Sequence, residues 1–176
     1  MSYEAARIKN LIRDVADFPR PGVVFKDVTP LLADAEGLAG CTDSLAERFA
    51  DQSVDKVIGV EARGFIIAAP VAYRLGAGFV PVRKKGKLPS DVYSDTYELE
   101  YGTDTLEVHS DALRPGERAL VVDDVLATGG TAAATCRLVG KLGATVIGFG
   151  CILELGFLEG RKKLEGIVVE ALVSYE

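Results

Sequence analysis

The chain has 176 residues, a length that suits one domain with a proper core and is too short for two full ones. It is 48% hydrophobic and 26% charged, with no low-complexity tract, no repeat period and no apolar run of membrane-spanning length, which argues against a disordered, repeat or membrane-spanning protein. Twenty Lys and Arg against 26 Asp and Glu give a formal net charge of −6, which argues against nucleic acid as the main partner.

In chain order, residues 3–16 predict an amphipathic helix with Ile8, Leu11, Ile12 and Val15 on one face and Ser2 as its cap. Phe18-Pro19-Arg20-Pro21-Gly22 breaks it, and Val23 to Asp27 is extended but too short to be a sheet core. A second helix is predicted over roughly 37–50, then a short strand over 56–60. Glu61-Ala62-Arg63-Gly64-Phe65 leads into a helix over 66–75, with Pro70 as a kink, and 79–82 is another strand. The basic run Arg83-Lys84-Lys85-Gly86-Lys87 then falls at a strand's carboxyl end, the edge where open α/β sheets bind ligands. Residues 93–101 and 105–108 alternate around Gly102-Thr103-Asp104, a hairpin that leaves the βα pattern and suits a mobile lid.

A valine-rich strand begins at Ala119, a helix covers 132–142, and strands over 145–153 and 167–173 flank a short helical piece at 158–163. This alternation predicts a single α/β domain with a mainly parallel sheet and helices on both faces. The first 35 or so residues stand outside it, as a cap over the strand ends. His109, the only histidine, lies outside every motif and reads as a surface or hairpin-end residue, so no histidine-based acid–base mechanism is expected. Cys41, Cys136 and Cys151 have no metal spacing, and Cys136 and Cys151 lie in apolar contexts. They read as reduced thiols, and with the charged N-terminal stretch they predict a soluble, cytoplasmic chain.

The most informative stretch is Ala119 to Thr131, ALVVDDVLATGGT. Two carboxylates, Asp123 and Asp124, stand where the strand is expected to end, and a Thr128-Gly129-Gly130-Thr131 turn opens the next helix. Glycines let backbone N–H groups converge on one anion, and the threonines add hydroxyl donors. That anion is repelled by the two carboxylates, which are better placed to accept from hydroxyls such as a ribose diol, or to face a metal ion. A ligand with a phosphate at one end and a sugar diol at the other fits both halves. The Walker A and dinucleotide patterns are absent.

This stretch resembles the phosphoribosyl diphosphate (PRPP) signature of the type I phosphoribosyltransferases. Together with Phe18 to Asp27, Glu61 to Phe65, Arg83 to Pro89 and Leu99 to Gly102, it makes the sequence similar to the adenine phosphoribosyltransferases over nearly its full length. The resemblance implies the type I fold, a central mostly parallel sheet flanked by helices, within one domain over 1–176. It also implies an N-terminal hood (1–35) and a flexible hairpin lid (84–109). The implied reaction is adenine with PRPP giving AMP and pyrophosphate in purine salvage, with Mg²⁺ held mainly by PRPP near Asp123 and Asp124 and no direct metal site. Another purine as acceptor, or a PRPP-sensing regulator, are the rival readings.

By the same resemblance, Ala127, Thr128, Gly129, Gly130 and Thr131 hold the 5′-phosphate, and Asp123 and Asp124 face the ribose. Ala62, Arg63, Arg83, Lys84 and Lys87 bind the departing pyrophosphate, with Arg83 the candidate for a residue lent by a second subunit. Arg63, Lys87 and Glu100 are the catalytic candidates, with Glu100 stabilising a cationic sugar or carrying the base's proton, beside Tyr101 on the lid. For Arg63 the plain alternative is an ion pair with Glu61. Val24, Phe25 and Lys26 form the adenine pocket with Leu155 as its far wall. Family members often carry arginine in place of Lys26 and serine in place of Ala62. The family also has a non-proline cis bond, expected at Ala62–Arg63, and forms homodimers, for which the apolar Phe65 to Val71 offers a surface, a buried intrachain helix being an equal reading of that stretch.

Overall fold

The computed structural model describes residues 5–98 and 102–176. The valine-rich runs form parallel strands, β3 (Lys56–Val60), β4 (Gly78–Lys84), β7 (Arg118–Leu126), β8 (Thr145–Leu155) and β9 (Val169–Tyr175). They pair in the order β4-β3-β7-β8-β9. The hairpin of β5 (Val92–Glu98) and β6 (Thr103–His109) adds two antiparallel strands beside β4, completing a seven-stranded, mostly parallel sheet. The α/β architecture expected from the alternation is therefore present.

Successive strand residues point to opposite faces, and the core divides accordingly. Val57, Leu120 and Val122 pack with Leu45 and Phe49 of α3 (Ala35–Phe49) and Ile67 and Val71 of α4 (Gly64–Leu75). Ile58, Val60 and Val121 pack with Ala134 and Leu138 of α5 (Gly130–Lys141). Phe49, Ile58 and Leu138 are fully buried, and truncating such a side chain to alanine costs about 2–5 kcal/mol. Asp34 starts α3 by accepting from the Gly37 N–H at 2.7 Å.

The N-terminal segment differs from its expected form. The first helix, α1, covers only Ala5–Leu11, and β1 (Arg13–Ala16) pairs antiparallel with β2 (Val24–Asp27) in a separate two-stranded ribbon. Ile8 and Ile12 are buried as the helical pattern requires, but Val15 belongs to the ribbon. Cross-strand ion pairs, Arg13 to Asp27 at 2.9 Å and Lys26 to Asp14 at 2.7 Å, favour pairing over another helical turn. A short helix α2 (Thr29–Ala33), with Pro30 in its first turn, precedes α3 and is absent from the sequence reading.

Strands β4, β7, β8 and β9 each run further than expected, and the extensions of β4 and β7 relocate functional side chains. Strand β4 continues through Lys84 because β6 pairs with it there, opposing Arg83 with Glu107 and Lys84 with Leu106. Strand β7 continues to Leu126 because β8 keeps its register, opposing Asp123 with Cys151 and Val125 with Leu153. Asp123 and Asp124 therefore lie inside the strand and not beyond its end. His109 closes β6 at the end of the hairpin, as expected, and is half-buried there, and its Nε2 has no hydrogen-bond partner among the described residues.

Candidate active site

The carboxyl ends of β3, β4, β7 and β8 meet the N-terminal ribbon around a cleft of about 1260 Å³. Its floor is the turn between β7 and α5. Gly129 holds φ at 76°, a left-handed conformation, and a side chain there would lie 2.3 Å from the carbonyl oxygen of Gly160. Gly160 is equally confined, since a Cβ on it would lie 2.2 Å from the carbonyl oxygen of Ala127. The two glycines are stacked backbone to backbone, which presses the Ala127–Gly129 turn into a fixed shape. Its N–H groups and those of the first turn of α5 are thereby held together at one end of the cleft, an anion-binding arrangement.

Beside this turn stand the two carboxylates. Asp124 is buried and pairs with the Arg63 Nε at 2.5 Å, so Arg63 serves Asp124 and not Glu61. The Asp123 carboxylate lies against α4, where a side chain on Gly64 would come within 2.5 Å of its Oδ1. Burial and the adjacent Asp124 charge raise the Asp123 pKa well above the usual carboxylate range, with the Arg63 charge opposing them. The Arg63 guanidinium also lies 5.6 Å from the centroid of the Phe25 ring, a cation–π distance. Arg63 thus spans from the carboxylate pair to the aromatic end of the cleft.

The non-proline cis bond lies at Glu61–Ala62, one peptide before the expected Ala62–Arg63. Strand β3 ends at Val60, so the change of direction into α4 starts immediately at Glu61. The Glu61 carboxylate then collects the basic run: Lys87 Nζ at 2.7 Å, the Lys84 N–H at 2.9 Å and Arg83 Nε at 3.3 Å. Burial works against this carboxylate, yet the Lys87, Lys84 and Arg83 hydrogen bonds prevail and hold its pKa at about 2. Lys84 itself ion-pairs with Asp104 on β6.

At the other end, Phe25 meets Phe18 edge to face with centroids 5.2 Å apart. Val24 is exposed to the cleft, and Leu155, Phe157 and Tyr175 complete the wall. The Lys26 ammonium is held by Asp14 at 2.7 Å and lies 4.3 Å from the Tyr175 ring centroid. Val24 and Lys26 are two apart on a ribbon strand, so their backbone groups face the same side.

Of the residues singled out in the sequence, Val24, Phe25, Lys26, Ala62, Arg63, Lys84, Asp123, Asp124, Ala127 to Thr131 and Leu155 line this one cleft. Arg83 and Lys87 join it through Glu61. Glu100 and Tyr101 lie outside the described residues. Sequence reading missed Tyr97 and Asp104 on the hairpin and Gly160 behind the turn. Gly160 is required by the close approach of the Ala127 and Gly129 backbone and not by a positive φ, and no local pattern signals such an approach.

An open parallel sheet with a glycine-rich anion turn and a carboxylate pair at its strand ends defines a phosphoribosyltransferase. The profile of the phosphoribosyl transferase domain matches residues 27–170, and the chain belongs to that family. It is 58% identical to the adenine phosphoribosyltransferase of Desulfitobacterium hafniense, over 93% of this chain and 95% of that one. The adenine phosphoribosyltransferase of Acaryochloris marina is 56% identical over 96% and 99% of the two chains. The crystal structure of the Thermoanaerobacter pseudethanolicus adenine phosphoribosyltransferase superposes with a TM-score of 0.94 at 49% identity, covering 97% and 99%. That of the Saccharomyces cerevisiae enzyme, complexed with an imino-altritol bisphosphate and adenine, gives 0.90 at 38% identity, covering 96% and 97%. Within its family, then, this chain stands among the adenine phosphoribosyltransferases.

Proposed function

We propose that this chain moves the phosphoribosyl group of PRPP onto adenine, giving AMP and pyrophosphate, and that the cleft residues divide the work by position. One observation carries the reading: an anion turn and an aromatic side chain line a single cleft, and Arg63 reaches both the Asp124 carboxylate beside the turn and the Phe25 ring. A phosphate-bearing sugar on one side and a flat base on the other match that layout. The yeast relative holds ligands of these two chemistries at once.

The Ala127–Thr131 turn holds the 5′-phosphate by backbone N–H groups and the Thr128 and Thr131 hydroxyls. Asp123 and Asp124 accept from the ribose hydroxyls. Adenine stacks on Phe25 against Leu155, with the Val24 carbonyl meeting its amine and the Lys26 N–H a ring nitrogen. Arg63, with Ala62, Arg83, Lys84 and Lys87, receives the diphosphate as it gains charge, a stabilisation that grows in the transition state. Glu100, carried with Tyr101 on a lid of residues 84–109, balances the positive sugar or takes the base's proton, and residues 1–35 act as a hood.

Among the described residues no group of three or more His, Cys, Asp and Glu side chains forms a metal cage. Two neighbouring carboxylates, one already paired with Arg63, fit a magnesium ion that keeps its waters and is held mainly by the substrate's phosphates. Mg²⁺ so bound would neutralise charge on the diphosphate. Ile66 and Tyr73, seven residues apart on α4, are exposed large side chains that suit the contact of a homodimer. Among the described residues no helix is long and apolar enough to cross a membrane, and the three free cysteines suit the cytoplasm.

The test is to supply PRPP with adenine, hypoxanthine, guanine or xanthine in turn and follow pyrophosphate release. Release with adenine is expected. Release with another purine alone would change the acceptor, and PRPP binding without any release would make the chain a sensor.

A further inference from the structure

Tyr97 is 6% exposed, sits on β5 of the hairpin, and belongs to no sequence motif noted above. Its ring lies over the start of α5, so that a side chain on Gly130 would meet the ring at 3.2 Å. Its hydroxyl is in the middle of a chain of polar groups. Thr131 Oγ1 donates to it at 3.1 Å, and it donates in turn to Asp104 Oδ2 at 3.4 Å. Asp104 also holds the Lys84 ammonium and accepts from the Thr105 N–H at 2.8 Å.

A hydroxyl carries one hydrogen and two lone pairs. In this arrangement the Thr131 hydrogen is committed to Tyr97, so Thr131 has nothing to donate to an arriving phosphate. The contact can be inverted. If Thr131 turns its hydrogen to a phosphate oxygen, its lone pairs remain open, and the Tyr97 O–H can rotate to donate to them. The bond between the two hydroxyls survives with its direction exchanged. What is given up is the long 3.4 Å contact to Asp104, which keeps Lys84 and the Thr105 N–H. A contact of that length is weak, so the exchange has little opposing it.

We propose that Tyr97 is a positioning residue for the phosphate turn, its hydroxyl reversing its hydrogen bond with Thr131 so that Thr131 donates to bound phosphate from a fixed rotamer. This rests on the reading that the Ala127–Thr131 turn holds the 5′-phosphate of PRPP. Without the Tyr97 hydroxyl, the Thr131 side chain must be ordered by the ligand itself. The loss falls on PRPP binding and spares the chemical step and the base.

Three variants decide it: Tyr97→Phe, Thr131→Val and the pair together. Tyr97→Phe keeps the ring over Gly130, so thermal melting within a few degrees of wild type is the check that packing is intact. PRPP binding is measured by calorimetry without adenine, and kcat and KM for both substrates by steady-state rates. Tyr97→Phe is expected to weaken PRPP binding about 3- to 10-fold, the range of one net hydrogen bond, with kcat and the adenine KM within about twofold. The double variant is expected to bind PRPP no more weakly than Thr131→Val alone, because Tyr97 acts only through Thr131. Effects that multiply in the double variant, or a Tyr97→Phe protein that binds PRPP as wild type does, overturn the proposal. If Thr131→Val itself leaves PRPP binding unchanged, its hydroxyl does not meet the phosphate and this proposal falls, while the turn's backbone N–H groups can still hold the phosphate; a wild-type chain that fails to bind PRPP is what sinks the phosphate-turn reading.

Discussion

Replacing Gly160 by alanine tests the support of the phosphate turn from a residue outside the signature sequence. The new methyl carbon would stand 2.2 Å from the Ala127 carbonyl oxygen and 3.0 Å from the Gly129 nitrogen, where ordinary contact begins near 3.4 Å. Both neighbours are backbone, so no side-chain rotation relieves the overlap. Either the turn or the Gly160–Leu164 segment must move by roughly 1 Å. Overpacking of this kind costs about 1–3 kcal/mol, which for a chain this size lowers Tm by roughly 2–12 °C. The functional effect is expected to be larger, since a misplacement of about 1 Å in a binding constellation can cost about 10²-fold. Steady-state kinetics should therefore show the PRPP KM raised about 10- to 100-fold, while the KM for adenine, bound at the far end of the cleft, stays within about threefold. A folded Gly160→Ala protein with a PRPP KM within twofold of wild type would refute the idea that this glycine shapes the turn.

Removing charge at the reaction centre is expected to be severe: Arg63→Ala and Lys87→Ala should each lose about 10²-fold in kcat/KM, with kcat falling as well. Near-wild-type rates in both folded variants would remove them from catalysis. For the base, hypoxanthine inverts both contacts expected from Val24 and Lys26. At about 1–3 kcal/mol for each unmatched group, adenine should be favoured by roughly 30-fold to 10⁴-fold in kcat/KM, and a ratio below tenfold would mean another mode of reading. Glu61 predicts an acid-sensitive fold. Its folded pKa of about 2 lies below its ordinary 4.5, so its stabilisation is complete above pH 4.5 and fades as pH falls toward 2. Allowing for the half-exposed Lys87 partner, about 1–3 kcal/mol is involved, and the melting difference between wild type and Glu61→Gln should shrink across that window. A constant difference would contradict it. Finally, Ile66→Glu with Tyr73→Glu should dissociate a dimer in sedimentation, and a wild-type protein already monomeric at assay concentrations would exclude that interface.

The parts of this molecule that follow from local rules were legible in the amino-acid sequence. Lys56–Val60 is a strand with the bounds its apolar run suggests, and the helix expected over 132–142 is present as Gly130–Lys141, its first turn taking in the end of the Thr-Gly-Gly-Thr stretch. Legibility failed where a distant partner decides. Residues 13–16 continue the helical pattern of α1, yet Val24–Asp27 pairs with them and turns them into a strand. Asp123 and Asp124 look like residues beyond a strand, until β8 is seen to hold them within it. Partner choice was the least visible of all. Arg63 stands two residues from Glu61 but pairs with Asp124, while Glu61 takes Lys87 from 26 positions away. The apolar period that reveals an element carries no information about which cation meets which carboxylate.

Those pairings give the leaving-group side of the cleft a property of its own. Arg63 is matched by Asp124, Arg83 and Lys87 share Glu61, and Lys84 is matched by Asp104, so three carboxylates offset most of the charge of the four cations in the resting site. An incoming anion therefore meets resident competitors tethered at high effective concentration, and must exchange partners rather than fill an open positive field. Chloride or a lone orthophosphate, touching one cation at a time, is at a disadvantage. A diphosphate that reaches several cations together can displace their carboxylates in concert. PRPP affinity should then depend only shallowly on salt, and a steep decline with added chloride would count against this view. The built-in counterions would act as a filter, keeping the cleft unclogged amid the many small anions of a cell.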